Sequence, residues 1–126
     1  MTEGNRTTQG IMTGKELDIA IANLLRKAGV PAHILGYDYL MEAIKLSYTD
    51  KNYIHNMTTM LYPEIAKAFG TTASRLERAI RHAVEVAFER GDIEFINANF
   101  SYDQRKGKAT NAEFIAGAVV YIKNHY

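Results

Sequence analysis

Cysteine and tryptophan are both missing from this chain of 126 residues. Without cysteine there can be no disulfide scaffold, no thiol nucleophile and no Cys-type zinc site, and the composition fits a reducing cytoplasm. No apolar run approaches the roughly 20 residues that span a bilayer, and the N-terminus lacks a signal-peptide apolar region, so no membrane partner is expected. Period-two alternation of apolar and polar residues is nowhere sustained, which argues against a sheet-built fold. An excess of either charge is lacking too. The formal net charge is +1, so binding to a polyanion would have to come from local clustering rather than from a basic body.

The length suits one domain, able to bury roughly two-thirds of its unfolded surface without staples. Residues 1–12, MTEGNRTTQGIM, are polar, contain two glycines and show no period; they read as a flexible N-terminal arm or linker remnant. Residues 13–126 read as the folded domain. A first helix opens at Thr13 with Glu16 in capping-box spacing, carries Leu17, Ile21, Leu24, Leu25 and Ala28 on one face, and stops at Gly29. A second helix is expected from about Gly36 to Tyr48 with Tyr37, Leu40, Ile44 and Tyr48 inward. Thr49 or Asp50 caps a third, through Tyr53, Ile54, Met57 and Leu61, which Pro63 should break or kink while starting a new helix. Met57, Met60 and Leu61 read as core. After Glu64–Phe69 and Gly70, Thr72 or Ser74 caps a long helix, Ser74 and Glu77 having a second capping-box spacing. Its apolar stripe is Leu76, Ile80, Ala83, Val84 and Ala87, and Gly91 and Asp92 end it. A short helix through Ile93 and Ile96, a polar loop from Ser101 to Ala109, and a last helix boxed by Thr110 and Glu113 complete an all-α compact bundle of about six helices.

The segment from Tyr62 to Arg90 carries the functional signal. A short helix, a turn containing Gly70 and a longer helix match the layout of a helix-turn-helix. Ala66 allows close approach of the two helices, Gly70 tolerates a positive φ, and Ile65, Phe69, Leu76 and Ile80 anchor both sides. At about 100° per residue, Ser74, Arg78, Arg81 and Glu85 fall opposite the apolar stripe, with Arg75 and His82 on a shoulder. The cationic half of the helix is its N-terminal half, which opposes the macrodipole preference for anions there. A local rule broken over three arginines points to a demand from outside the fold. Double-stranded DNA supplies one, because an arginine fork meets guanine O6 and N7 with two hydrogen bonds. Glu77 can accept from cytosine N4 or orient an arginine, and Thr71, Thr72 and the N–H groups at the helix start suit phosphates. The bland alternative is a solvated face on which Glu77, Arg78 and Arg81 form helical ion pairs worth a few tenths of a kcal/mol.

These residues also carry a resemblance. The block PEIAKAFGTTASRLERAIRHAVEVAFERGDI, the upstream run AGVPAHILGYDYLMEAI and the later TNAEF resemble the C-terminal effector domain of the sporulation-initiation response regulators of endospore-forming bacteria, the stage 0 sporulation protein A family. The resemblance spans about Leu17 to Phe114. It implies a six-helix domain that binds a short asymmetric DNA box, often as tandem copies forming a homodimer on DNA, and that activates or represses promoters through a sigma subunit of RNA polymerase. On matching positions it implies base-reading roles for Arg75, Glu77, Arg78 and Arg81 and backbone contacts from Thr71, Thr72, Ser74 and His82. It further implies a sigma-factor contact within residues 91–102, at Gly91 and Phe100. The family's receiver domain has no counterpart here, and the linker-like start favours an excised effector domain. Phe88 stands where the family often has tryptophan. Set against the resemblance, the loop 103–109 is slightly shorter than the family's, so no phosphate role is assigned to Arg105, Lys106 or Lys108, and the tail 123–126 does not match the family's basic tail.

Other constellations read as structural. His33 suits a hydrogen bond at a helix terminus. His55 and His125 have no ligand partner at i+3 or i+4, so no metal and no cofactor are expected. Lys15 after Gly14 lacks the strand and upstream glycine of a phosphate-cradling loop. Tyr37, Tyr39, Tyr48, Tyr53 and Tyr62 fall at helical spacing and read as packing rather than as base-stacking platforms. No nucleophile–base pair stands out, so the chain is not expected to be an enzyme. The competing functional class is a helical protein-interaction module whose arginines grip an acidic partner without DNA specificity.

Overall fold

Seven α-helices and no strand make up the described residues, 11–126, of the computed structural model. They are α1 (Gly14–Ala28), α2 (Leu35–Thr49), α3 (Asn52–His55), α4 (Tyr62–Phe69), α5 (Ala73–Arg90), α6 (Ile93–Asn99) and α7 (Asn111–His125). A wide π-turn at Met57–Leu61 joins α3 to α4, and a 3-10 turn at Gln104–Lys106 lies in the loop before α7. The expected arm lies largely outside the described residues. Its last member, Met12, does not belong to an arm: it is buried, and its backbone N–H donates to the Tyr48 hydroxyl at 2.9 Å.

The core forms where the apolar stripes converge. Leu17, Ile21, Leu24 and Leu25 of α1, Leu40 and Ile44 of α2, Leu76 and Ile80 of α5, and Phe114, Ile115 and Ile122 of α7 are all at most 1% exposed. Burying one such side chain contributes roughly 1.5–3 kcal/mol. Ends are set locally. Gly29 adopts φ 91° after α1, and the Val30 N–H reaches the Leu25 carbonyl at 2.9 Å, a Schellman closure. At α7 the Thr110 hydroxyl accepts the Glu113 N–H while the Glu113 carboxylate accepts the Thr110 N–H, so the expected capping box is formed.

The structure departs from the sequence reading at several places. Thr13 caps α1 without a side-chain bond, because Gly14 takes a left-handed φ of 58° that turns the Thr13 hydroxyl away from the first helical N–H groups. One Glu16 carboxylate oxygen is left buried without a partner. On α2 the buried tyrosine is Tyr39, with Tyr37 only half-buried, because α2 is covered by both α5 and α7 and buries a wider arc that includes Gly36, Ala43 and Ser47. The third helix is not continuous. It breaks at Asn56 (φ −136°, ψ 53°), whose carbonyl accepts both the Met60 and Leu61 N–H groups, and Pro63 sits unstrained in the first turn of α4. Of the trio expected in the core there, Leu61 is buried and Met57 and Met60 are half-exposed.

Ser47 has its side chain fully enclosed and its hydroxyl unpartnered. An unsatisfied buried hydroxyl costs about 1–3 kcal/mol, and alanine is the better helix former. Ser47→Ala is therefore expected to stabilise the domain by about 1 kcal/mol, read as a higher urea midpoint at unchanged slope. An unchanged or lower midpoint would show that the hydroxyl is bonded in solution.

Candidate nucleic-acid interface

The corner between α4 and α5 is built by three residues. Gly70 takes φ 68°, its N–H donates to Lys67, and the Thr71 N–H donates to the Ala66 carbonyl at 2.9 Å. A β-carbon at residue 70 would meet nothing, so glycine is required here by conformation rather than by space. Thr72 then caps α5, its hydroxyl accepting the Arg75 N–H at 3.1 Å. The Ser74–Glu77 box is not formed, since Ser74 already lies inside the first helical turn. Ala66, Ile65, Leu76 and Ile80 are buried across the corner, as the helix-turn-helix reading requires. Phe69 is 45% exposed and instead sets its ring edge-on to Tyr39, with centroids 5.2 Å apart.

The stripe on α5 buries Leu76, Ile80, Ala83, Val84 and Ala87, together with Val86. The opposite side carries the candidate side chains. Ser74, Arg75, Arg78, Arg81 and His82 are exposed, Thr72 is exposed beside them, and Thr71 and Glu77 are half-buried. The first turn of α5 contains no acid. Arg81 meets Glu77 at 3.2 Å, an i,i+4 pair. Among the described residues Arg75 and Arg78 make no ion pair, so of the two arginines in the bland reading only Arg81 is paired with Glu77. Six of the eight candidate side chains are thus exposed in a ridge at the start and outer side of α5, while Thr71 and Glu77 are half-buried at its margins.

Neighbouring charges are arranged around this ridge. Lys108, in the loop before α7, reaches Glu85 of α5 at 2.7 Å, and the resulting hydrogen bond holds the Glu85 carboxyl below its ordinary pKa. Arg105 is held by Asp103 at 3.0 Å, which lowers the Asp103 pKa. Between α5, the π-turn and this loop runs an open cleft of about 640 Å³, bordered by Met57, Tyr62, Arg81, Val84, Lys106 and Asn111. Burial raises the Tyr62 hydroxyl above its ordinary pKa, against the opposing effect of its hydrogen bond from Asn111. That bond, 3.0 Å long, escaped the sequence reading altogether.

The two residues that flank α6, Gly91 at the end of α5 and Phe100 after Asn99, are placed differently. Gly91 packs on Gly29, so tightly that a β-carbon at residue 91 would lie 2.3 Å from the Ala28 carbonyl oxygen. Phe100 is 5% exposed, edge-on to Phe114 at 4.9 Å and seated on Gly117. Neither belongs to the arginine ridge. Between them, α6 exposes Ile93, Glu94, Asn97 and Ala98. Among the described residues no helix is long and apolar enough to cross a membrane, and no group of three His, Asp or Glu could hold a metal ion. The family described as "Sporulation initiation factor Spo0A C terminal" matches residues 21–122, from within α1 to within α7.

Proposed function

The chain belongs to the Spo0A C-terminal family of sporulation initiation factors, a family of DNA-binding effector domains of a transcription-regulating response regulator, and from that premise we propose that it reads a short DNA box with α5 lying in the major groove. Arg75, Glu77, Arg78 and Arg81 meet base edges, and Thr71, Thr72, Ser74 and His82 hold the phosphate backbone on either side. The observation that carries this reading is the pair of exposed guanidinium groups of Arg75 and Arg78, which make no ion pair among the described residues, on a helix start with no acid and directly behind the Gly70 corner. Phosphates and base acceptors supply the anionic partner that the fold omits.

On tandem boxes two copies bind as a homodimer, and the domain works in the cytoplasm, where the promoter is. The face around α6, residues 91–102, meets the sigma subunit of RNA polymerase. Since Gly91 is packed on α1 and Phe100 is buried, their part is to shape that face, and its exposed side chains touch the partner.

Selection from a random duplex pool tests the reading against its rival. One enriched box is expected, with log affinity falling by about 0.9 per neutralised phosphate for each decade of salt. No enrichment, together with tight binding to acidic polypeptides, would instead favour a protein-interaction module gripping an acidic partner.

A further inference from the structure

Among the described residues, two side chains tie α5 by hydrogen bonds to elements outside its own helix and caps. One is Lys108, exposed and bonded to Glu85. The other is Asn111, the first residue of α7, half-buried beneath the candidate ridge. Its side-chain Nδ2 donates to the Tyr62 hydroxyl of α4 at 3.0 Å and to the Glu77 backbone carbonyl of α5 at 3.3 Å. One amide thus joins both helices of the helix-turn-helix to a third element. The Glu77 carbonyl lies one residue before Arg78 and one turn before Arg81, at the level where the candidate base readers stand. Asn111 has no part in capping α7, which Thr110 and Glu113 perform between themselves.

Resting on the DNA-reading assignment above, we propose that Asn111 is a positioning residue for sequence discrimination, setting the angle and height of α5 against α4 so that Arg78 and Arg81 reach base edges. The two hydrogen bonds of an arginine fork to guanine require correct distance and direction at once, so a small rotation of α5 forfeits them. Attraction to phosphates is long-ranged and tolerant of such a rotation. Loss of the Asn111 amide should therefore weaken binding to the right sequence and leave binding to a wrong one nearly unchanged.

The test compares wild type, Asn111→Ala and Tyr62→Phe on two duplexes: the box enriched by wild type, and a scrambled duplex of equal length and composition. For Asn111→Ala the ratio of the two affinities is expected to fall about tenfold, the size of one base contact, with the scrambled-duplex affinity held within about twofold. Tyr62→Phe removes one of the two bonds in a nearly isosteric way and should lower the ratio in the same direction by less. An affinity that drops equally on both duplexes in step with lost folded protein would assign Asn111 a merely structural role and overturn the proposal, as would an unchanged ratio in both variants. If wild type enriches no box, the DNA-reading assignment fails and this inference with it. If wild type discriminates and Arg78→Ala abolishes discrimination while both variants here retain it, only this inference fails.

Discussion

Gly36→Ala is expected to destabilise the domain by about 2 kcal/mol and to impair DNA binding without touching any residue of the ridge. Gly36 lies in the first turn of α2, against the middle of α5. A β-carbon there would stand 2.1 Å from the Ala79 carbonyl oxygen, 2.8 Å from the Ala79 carbonyl carbon and 3.0 Å from the Ala83 β-carbon. The obstacle is helix backbone, which cannot swing aside as a long side chain would. The two helices must therefore part, and α5 is the helix that carries the arginines. Alanine gains about 1 kcal/mol over glycine in helix propensity. Overpacking a closed contact costs about 1–3 kcal/mol and more when main chain must move, so the steric term decides the sign. Urea unfolding followed by circular dichroism reads the loss directly. A control is Gly70→Ala, where space is open but φ is 68°; it should lose about 1 kcal/mol for conformation alone. A Gly36→Ala variant as stable as wild type would mean that α2 and α5 are not in the tight register described.

That contact also shows where the sequence was legible and where it was not. Gly36 reads as a helix-boundary residue, and nothing local tells that its missing side chain is what lets α5 approach. The stripe Leu76, Ile80, Ala83, Val84, Ala87 was readable because burial on one side of a helix imposes its own period. Gly70 was readable because a positive φ at a helix end all but demands glycine. Thr13–Glu16 and Thr110–Glu113 have the same spacing, yet only the second pair closes. Spacing offers the opportunity, and the backbone decides: Thr110 has φ −72°, whereas Thr13 has φ −139° and is followed by a left-handed Gly14. The arginine ridge was visible as exposed charge on a helix whose opposite side is apolar. Which acid engages Arg81 was not, since Glu77 and Glu85 each lie four residues from it along α5, and the rotamers choose Glu77 while Lys108 takes Glu85. Asn111 was invisible for a different reason. Its partners Tyr62 and Glu77 are 49 and 34 residues away, a distance over which no periodicity speaks.

The same rotamer choice ranks the arginines. Arg78→Ala should leave stability within about 0.5 kcal/mol of wild type, because the side chain is exposed and makes no ion pair among the described residues. Its affinity for the enriched box should fall about ten- to a hundredfold, the loss of one bidentate base contact worth about 1–3 kcal/mol. If that contact is to a base edge, discrimination at one base pair relaxes and the salt slope stays nearly unchanged; if it is to a phosphate, binding weakens on every sequence and the slope drops by about one. Arg81 must first leave Glu77, at 3.2 Å, before it can reach DNA. An exposed i,i+4 pair is worth only a few tenths of a kcal/mol, so this detachment subtracts little, and Arg81→Ala should fall just short of Arg78→Ala. Glu77→Gln would release Arg81 at small cost while deleting an acceptor, so it should improve binding to scrambled DNA and blur the choice of box. Mobility-shift titrations of the three variants on matched and scrambled duplexes separate these outcomes. If Arg78→Ala and Arg81→Ala both bind as wild type does while remaining folded, the ridge faces something other than a DNA groove, since no rearrangement of neighbouring side chains could replace two lost guanidinium forks on one exposed helix side.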